Sequence, residues 1–367
     1  MNIKITSIGI VSILFFIFTS GCIDSFISGS DDTVYSSHPT KISYTIDYGY
    51  FINCTDGTGE FQINYDCDTP ELLNGDAEII EIFNQDYTDK TVASFNNIKS
   101  WDITKTTCSN TKLGLSAQII SESNIVADLN GESALTIQEI KNNYPSLVNN
   151  YCQAQVNDST TYIDPENSEI EDLASTILTD DGSDNSFIAA KQIFIWLKEN
   201  TIYSTHSINN NVQPASVTLQ TLRGDCDDLS FLYISLCRAA EIPARFIRGF
   251  IVNATNATAH AWAEVFVGGG IGDNGWIPVE CAGIATGKNK IQAEINQNFA
   301  LEDAFHLRLF KDDGSNESLA VSLAGISYSS ESTLDIAPPT SFAIISNYNV
   351  ISSNELKIDE NNQRIYQ

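Results

Sequence analysis

The chain is 367 residues long, 42% hydrophobic, and carries 47 acidic against 19 basic residues, a formal charge of −28. That length allows two domains plus a tail, and the apolar fraction is ample for packed cores. So acidic a surface repels the phosphates of DNA and RNA, which excludes nucleic acid as a partner.

Met1-Asn2-Ile3-Lys4 is a short basic stretch, and Ile8 to Phe18 is an apolar run too short for a membrane span. The pattern predicts export, with residues 1–21 as signal peptide. Thr19-Ser20-Gly21-Cys22 then resembles a prokaryotic lipobox, in which cleavage before the cysteine leaves it to be lipidated; Thr19 stands where Leu is usual. On that resemblance Cys22 is the lipidation site of a prokaryotic lipoprotein of archaeal kind, held on the outer face of the cytoplasmic membrane. Residues 22–40, rich in Ser, Asp and Gly, read as its flexible tether. A plain signal peptide would leave the protein secreted instead.

Residues 41–155 read as a small β-rich domain. Alternating runs predict strands over 42–46, 61–65, 77–83, 113–120 and 124–128. Thr136-Ile137-Gln138-Glu139 is a capping box and predicts a helix over 137–144. Asp128, Asn130, Glu132 and Glu139 stand at positions 1, 3, 5 and 12 of a calcium loop of the EF-hand kind, so they are candidate Ca²⁺ ligands. Against this, Ser133 occupies the position that needs Gly, and Asn130-Gly131 is equally a hairpin signal.

Residues 156–290 carry the chemistry. The order is an acidic helix start at Ile170-Glu171-Asp172-Leu173-Ala174, a helix over 189–200, Ile202-Tyr203, Thr218-Leu219, and then Gly224-Asp225-Cys226-Asp227-Asp228. Asp225 caps a largely buried helix over 226–240, with Asp228 in the capping-box position. Cys226 therefore falls at the first helical residue, where the helix dipole favours a thiolate. Ile242-Pro243 ends the helix. Strands are predicted over 244–252, over 261–267 with His260 at its start, and over 276–280, which ends on Glu280. A thiol needs a base to take its proton, and an imidazole needs a carboxylate to hold its tautomer. Cys226, His260 and Glu280 supply those three groups in order. Asp227 and Asp228 read as capping and surface groups, and Trp262 and Trp276 as packing groups.

These residues, with Arg238-Ala239 and Ile242-Pro243-Ala244-Arg245, resemble the transglutaminase-like superfamily of papain-like cysteine enzymes. The resemblance covers about 163–285. It implies an α+β fold, a papain-like core in which the nucleophile helix packs on an antiparallel sheet, preceded here by the β-rich domain. It also implies nucleophile Cys226, general base His260 and orienting acid Glu280, where most members carry Asp. No cofactor is called for beyond the candidate Ca²⁺.

Two runs, 305–310 and 319–323, read as a strand pair extending the sheet across residues 291–330, and 331–367 as a C-terminal tail. Eight cysteines suit an oxidising exterior. Setting aside Cys22 and Cys226, six permit fifteen full pairings. Cys54–Cys67 and Cys108–Cys152 are the favoured bridges, while Cys237 and Cys281 could bridge or remain thiols. The resulting expectation is an exported cysteine enzyme that cleaves or transfers amide bonds in protein or cell-wall peptide through a thioester. The alternative is a non-catalytic surface module that uses the same fold for binding or assembly.

Overall fold

Period-two alternation builds the first part of the molecule. In the strand Val34–Ile52, Ile42, Tyr44, Ile46 and Tyr48 are buried on one face. It pairs antiparallel with Thr111–Glu122 and with Thr340–Ile358, and Gly75–Ile82 and Arg364–Tyr366 complete a sheet of five. A second antiparallel sheet runs Ser327–Ser330, Cys54–Asp68, Asn96–Thr107, Thr88–Val92. Both sheets bury Ile46, Ile63, Trp101, Leu113 and Leu115 in one core. The computed structural model describes residues 34–93, 95–181, 184–205, 212–283, 290–330 and 334–366. The expected signal peptide, Cys22 and most of the tether lie outside the described residues. The described residues form one compact unit.

Several expectations are corrected here. The segment read as a tail contributes Thr340–Ile358 to the first sheet. Only Ile345 and Leu356 of that strand belong to the buried core, too sparse a pattern to betray a strand in sequence. The disulfide is Cys54–Cys108, not Cys54–Cys67 or Cys108–Cys152. Cys54 opens a strand whose Thr58 pairs with Thr107, one residue before Cys108, while Cys67 pairs with Lys99 at the far end of the same ladder. Cys67, Cys152, Cys237 and Cys281 are thiols.

The second half holds a four-stranded antiparallel sheet in the order Trp276–Val279, Ala257–Phe266, Ala244–Val252, His306–Lys311. The helix Cys226–Ala239 lies against it. Leu229, Phe231, Leu232 and Leu236 share a core with Phe246, Ala261, Ala263 and Val265, and the rings of Phe231 and Phe246 are 4.8 Å apart. His306–Lys311 is the expected strand extension. Residues 319–323 are not its partner strand: they fall in the helix Asn316–Leu323, whose start Ser315 caps by accepting the Ser318 N–H at 3.1 Å. A side-chain cap is a stronger local instruction than five residues of weak alternation. Leu307 and Leu309 on the extension strand pack into the core of the two β-rich sheets. That strand therefore joins the two halves.

Candidate active site

The nucleophile side is set by backbone capping. Cys226 is the first residue of its helix. The Asp225 N–H donates to Asp228 Oδ2 at 3.1 Å, and Asp228 Oδ1 accepts the Gln213 N–H at 2.6 Å. Asp228 is therefore a buried clasp rather than a surface group. A Cβ at Gly224 would lie 2.5 Å from the Asp228 Cβ, so the residue two before Cys226 must be glycine. The Ala261 N–H, adjacent to His260 in sequence, donates toward the Cys226 sulfur. That contact brings the thiol to the strand that carries the imidazole.

The ionisation of the thiol departs from expectation. Burial pushes it up, the Asp227 and Asp225 carboxylates push it further, and the Ala261 N–H only partly offsets them. The helix N-terminus favours a thiolate, but two carboxylates within one residue of the sulfur and the loss of water outweigh it. Cys226 therefore rests as the thiol. Burial and Asp227 also push the Asp225 carboxyl up to about 9.

His260 and Glu280 do meet. His260 Nε2 lies 2.6 Å from Glu280 Oε2, which leaves Nδ1 of the same ring for another partner. Glu280 Oε1 accepts the N–H groups of Ala282 at 2.8 Å and Gly283 at 3.0 Å. Burial alone would raise this carboxyl, but His260 and His306 hold it well below the usual carboxylate range.

His306 has no role in the sequence reading, yet its Nε2 lies 3.0 Å from the same Glu280 Oε2. Its Nδ1 is 2.7 Å from Asp303 Oδ1. The available signal was that His306 stands at the start of a strand-like run in a chain of only four histidines. The strand Ala244–Val252 lies between the two histidine strands, and its Gly249 pairs with His260 on one side and Arg308 on the other. A Cβ there would sit 1.9 Å from the Leu307 carbonyl oxygen. With glycine, the two imidazoles approach to 5.9 Å between ring centres.

Behind them lies a buried ionic lattice. Trp262 Nε1 donates to Glu302 Oε2 at 2.9 Å, and Arg308 bridges Glu302 and Glu264 at 2.5 and 2.7 Å. Arg245 reaches Glu264 at 2.6 Å and stacks 3.9 Å over Trp276. Burial alone would raise Glu264, but Arg308 and Arg245 hold it down at about 2. Trp262 and Trp276 are both buried.

The candidate calcium ligands are not brought together. Asp128 gives Oδ1 to the Asn130 N–H at 2.9 Å and Oδ2 to the Glu132 N–H at 3.0 Å, and Glu139 Oε2 accepts from Thr136 N at 2.8 Å. These carboxylates cap turns. Nor is 130–131 a hairpin: Asn124–Ile125 pairs with Leu301–Glu302. Among the described residues the acidic, His and Cys ligand atoms that do converge are those of His260, Glu280 and His306, and of Asp225, Cys226 and Asp227. In the first group the short N···O distances are those of hydrogen bonds, and they occupy both Nε2 atoms.

Residues 171–281 match the model of the transglutaminase-like superfamily. YebA of Bacillus subtilis (strain 168) is 30% identical over 116 residues, which are 26% of this chain and 15% of that protein. The chain thus spans only a small part of that relative. A candidate cysteine protease from Cytophaga hutchinsonii superposes with a TM-score of 0.50 at 14% identity, covering 90% of this chain and 99% of that one. Its fold likeness therefore reaches beyond the matched domain into the β-rich half. The periplasmic domain of TgpA from Pseudomonas aeruginosa gives a TM-score of 0.33 at 14% identity, over 67% of this chain and 90% of that one. The chain is an α+β protein whose residues 171–281 match the transglutaminase-like superfamily model, and the matched segment holds Cys226, His260 and Glu280.

Proposed function

We propose that this protein is an exported cysteine enzyme that cleaves or transfers amide bonds in protein or cell-wall peptide, with Cys226 as nucleophile, His260 as base and Glu280 as orienting acid. One observation carries the reading: His260 presents Nε2 to Glu280 at 2.6 Å while the next residue, Ala261, directs its N–H at the Cys226 sulfur. The ring is held by its far nitrogen, with Nδ1 left to serve the thiol.

Because the thiol rests protonated, attack is coupled to proton transfer. His260 Nδ1 takes the proton as the sulfur bonds to the acyl carbon. The Cys226 N–H, which has no partner within its own helix, donates to the developing oxyanion. The imidazolium returns its proton to the departing amine, leaving a thioester. Water, deprotonated by His260, then releases the acid and restores the thiol; an amine in its place makes a new amide. Hydrolysis needs no second binding site and is the ranked outcome.

Export is supported by the Cys54–Cys108 disulfide, because such bridges persist in oxidising compartments. No helix among the described residues is long and apolar enough to cross a membrane, and anchoring through a lipid on Cys22 remains part of the proposal. The second reading, a non-catalytic surface module, is favoured by the raised thiol. An electrophilic amide-mimic probe separates the two. Intact mass should show one adduct on wild type and none on Cys226→Ala, with turnover of a peptide amide lost in the same variant. An unlabelled wild type, with or without reductant, would leave the module reading standing.

A further inference from the structure

His306 is buried and has a carboxylate at each ring nitrogen, Asp303 Oδ1 at 2.7 Å from Nδ1 and Glu280 Oε2 at 3.0 Å from Nε2. Asp303 Oδ1 also accepts the Phe305 N–H at 3.0 Å, and Glu280 Oε1 accepts two backbone N–H groups. Glu280 is held ionised and Asp303 Oδ1 already accepts an N–H, so each presents His306 with an acceptor. Each nitrogen of His306 must therefore carry its own hydrogen, and a ring with both is an imidazolium. Burial alone would lower this histidine, but Asp303 and Glu280 raise it well above its ordinary value.

Few other groups face this chain of contacts. The Trp262 ring lies 4.9 Å from His306, edge to face, and His260 lies 5.9 Å away. Glu280 is also felt by Cys226 and by Tyr203, and Asp303 by Tyr366 of the strand Arg364–Tyr366. A fixed cation beside Glu280 neutralises part of the charge that would otherwise stabilise a second imidazolium at His260.

We propose that His306 is a positioning residue of the Cys226–His260–Glu280 site: a permanent imidazolium that shares the Glu280 carboxylate with His260 and takes up part of the negative charge that His260 would otherwise meet alone. The role in catalysis rests on the function proposed above; the charge state does not. Like charges about 6 Å apart in a half-buried site shift a titration by about one to two pKa units.

The test is a histidine NMR titration of the full chain carrying labelled imidazoles, assigned by single substitution among its four histidines. In wild type, His306 should keep both ring protons well above pH 7. In His306→Gln, which keeps an N–H donor and loses the charge, the His260 midpoint should rise by about one to two units. The acid limb of kcat/KM should move with it. Asp303→Asn, a partly exposed position, should lower the His306 midpoint, because it removes one of the two carboxylates that hold the imidazolium. A neutral His306 in wild type at pH 7, or an unmoved His260 in His306→Gln, overturns the proposal, and the first of these needs no variant to fold. A shifted His260 without turnover of any amide would leave this inference intact and sink the enzyme reading. Turnover whose acid limb ignores His306→Gln would do the reverse.

Discussion

Two carboxylate environments sit at the two ends of this site, and they ionise in opposite directions. Glu280 faces two imidazoles and two backbone N–H groups and is held ionised in a buried position. Asp225, one residue before Cys226, faces Asp227 and Asp228 instead and is pushed up to about 9. Both lose water, and Glu280, the more deeply buried of the two, is the one held ionised, so the neighbours set the direction rather than burial. The acid end is therefore built around a stable negative charge, and the thiol end resists forming one.

The largest expected effect breaks the acid end. Glu280→Gln keeps the shape but removes the charge that orients His260, and amide turnover should fall by as much as about 10⁴-fold, the cost of losing the orienting acid in a serine triad. Steady-state kinetics on a peptide amide would show it, and wild-type turnover in that variant would assign the orienting role elsewhere.

Gly249→Ala tests whether the two histidine strands must come close. Its Cβ meets the Leu307 carbonyl oxygen, so the strand carrying His306 has to move away from the one carrying His260. A displacement of about 1 Å costs on the order of 10²-fold in rate. Unchanged kcat in a folded Gly249→Ala variant would show that the two imidazoles need not be neighbours.

A smaller change is expected at the thiol end. Asp227 stands next to burial among the causes that raise Cys226. Asp227→Asn should lower the alkylation midpoint of Cys226 by about one pKa unit. Iodoacetamide rates against pH would register this, and a midpoint that rises instead would contradict the assignment.

The smallest effect is on stability, and it has opposite signs at the two ends. Asp225 in the folded state holds a proton that the unfolded chain releases near its ordinary 3.8, so it subtracts stability as pH rises from about 4 toward about 9. Glu280 is ionised when folded and takes up a proton near 4.5 when unfolded, so its contribution is present above that pH and lost as pH falls below it. Asp225→Asn should flatten the alkaline decline in Tm and leave the acid side unchanged. An alkaline decline as steep as wild type would mean that Asp225 is ionised throughout.

Local instructions were legible in the sequence. The start of the nucleophile helix at Cys226, the capping box at Thr136 and Glu139, the strands flanking Gly249, and the order of Cys226, His260 and Glu280 all follow from caps, periodicity and chemistry within a few residues of each position. The superfamily resemblance rests on that same local text. What only the tertiary structure decided is pairing at long range. Thr340–Ile358 docks on Val34–Ile52, Cys54 finds Cys108, and His306 arrives behind Glu280 because strands distant in sequence take one register. Ionisation belongs to the same class. A helix N-terminus predicts a thiolate at Cys226, yet the protonation of any group depends on how much water it has lost and which charges surround it, and neither is fixed until the chain has closed around it.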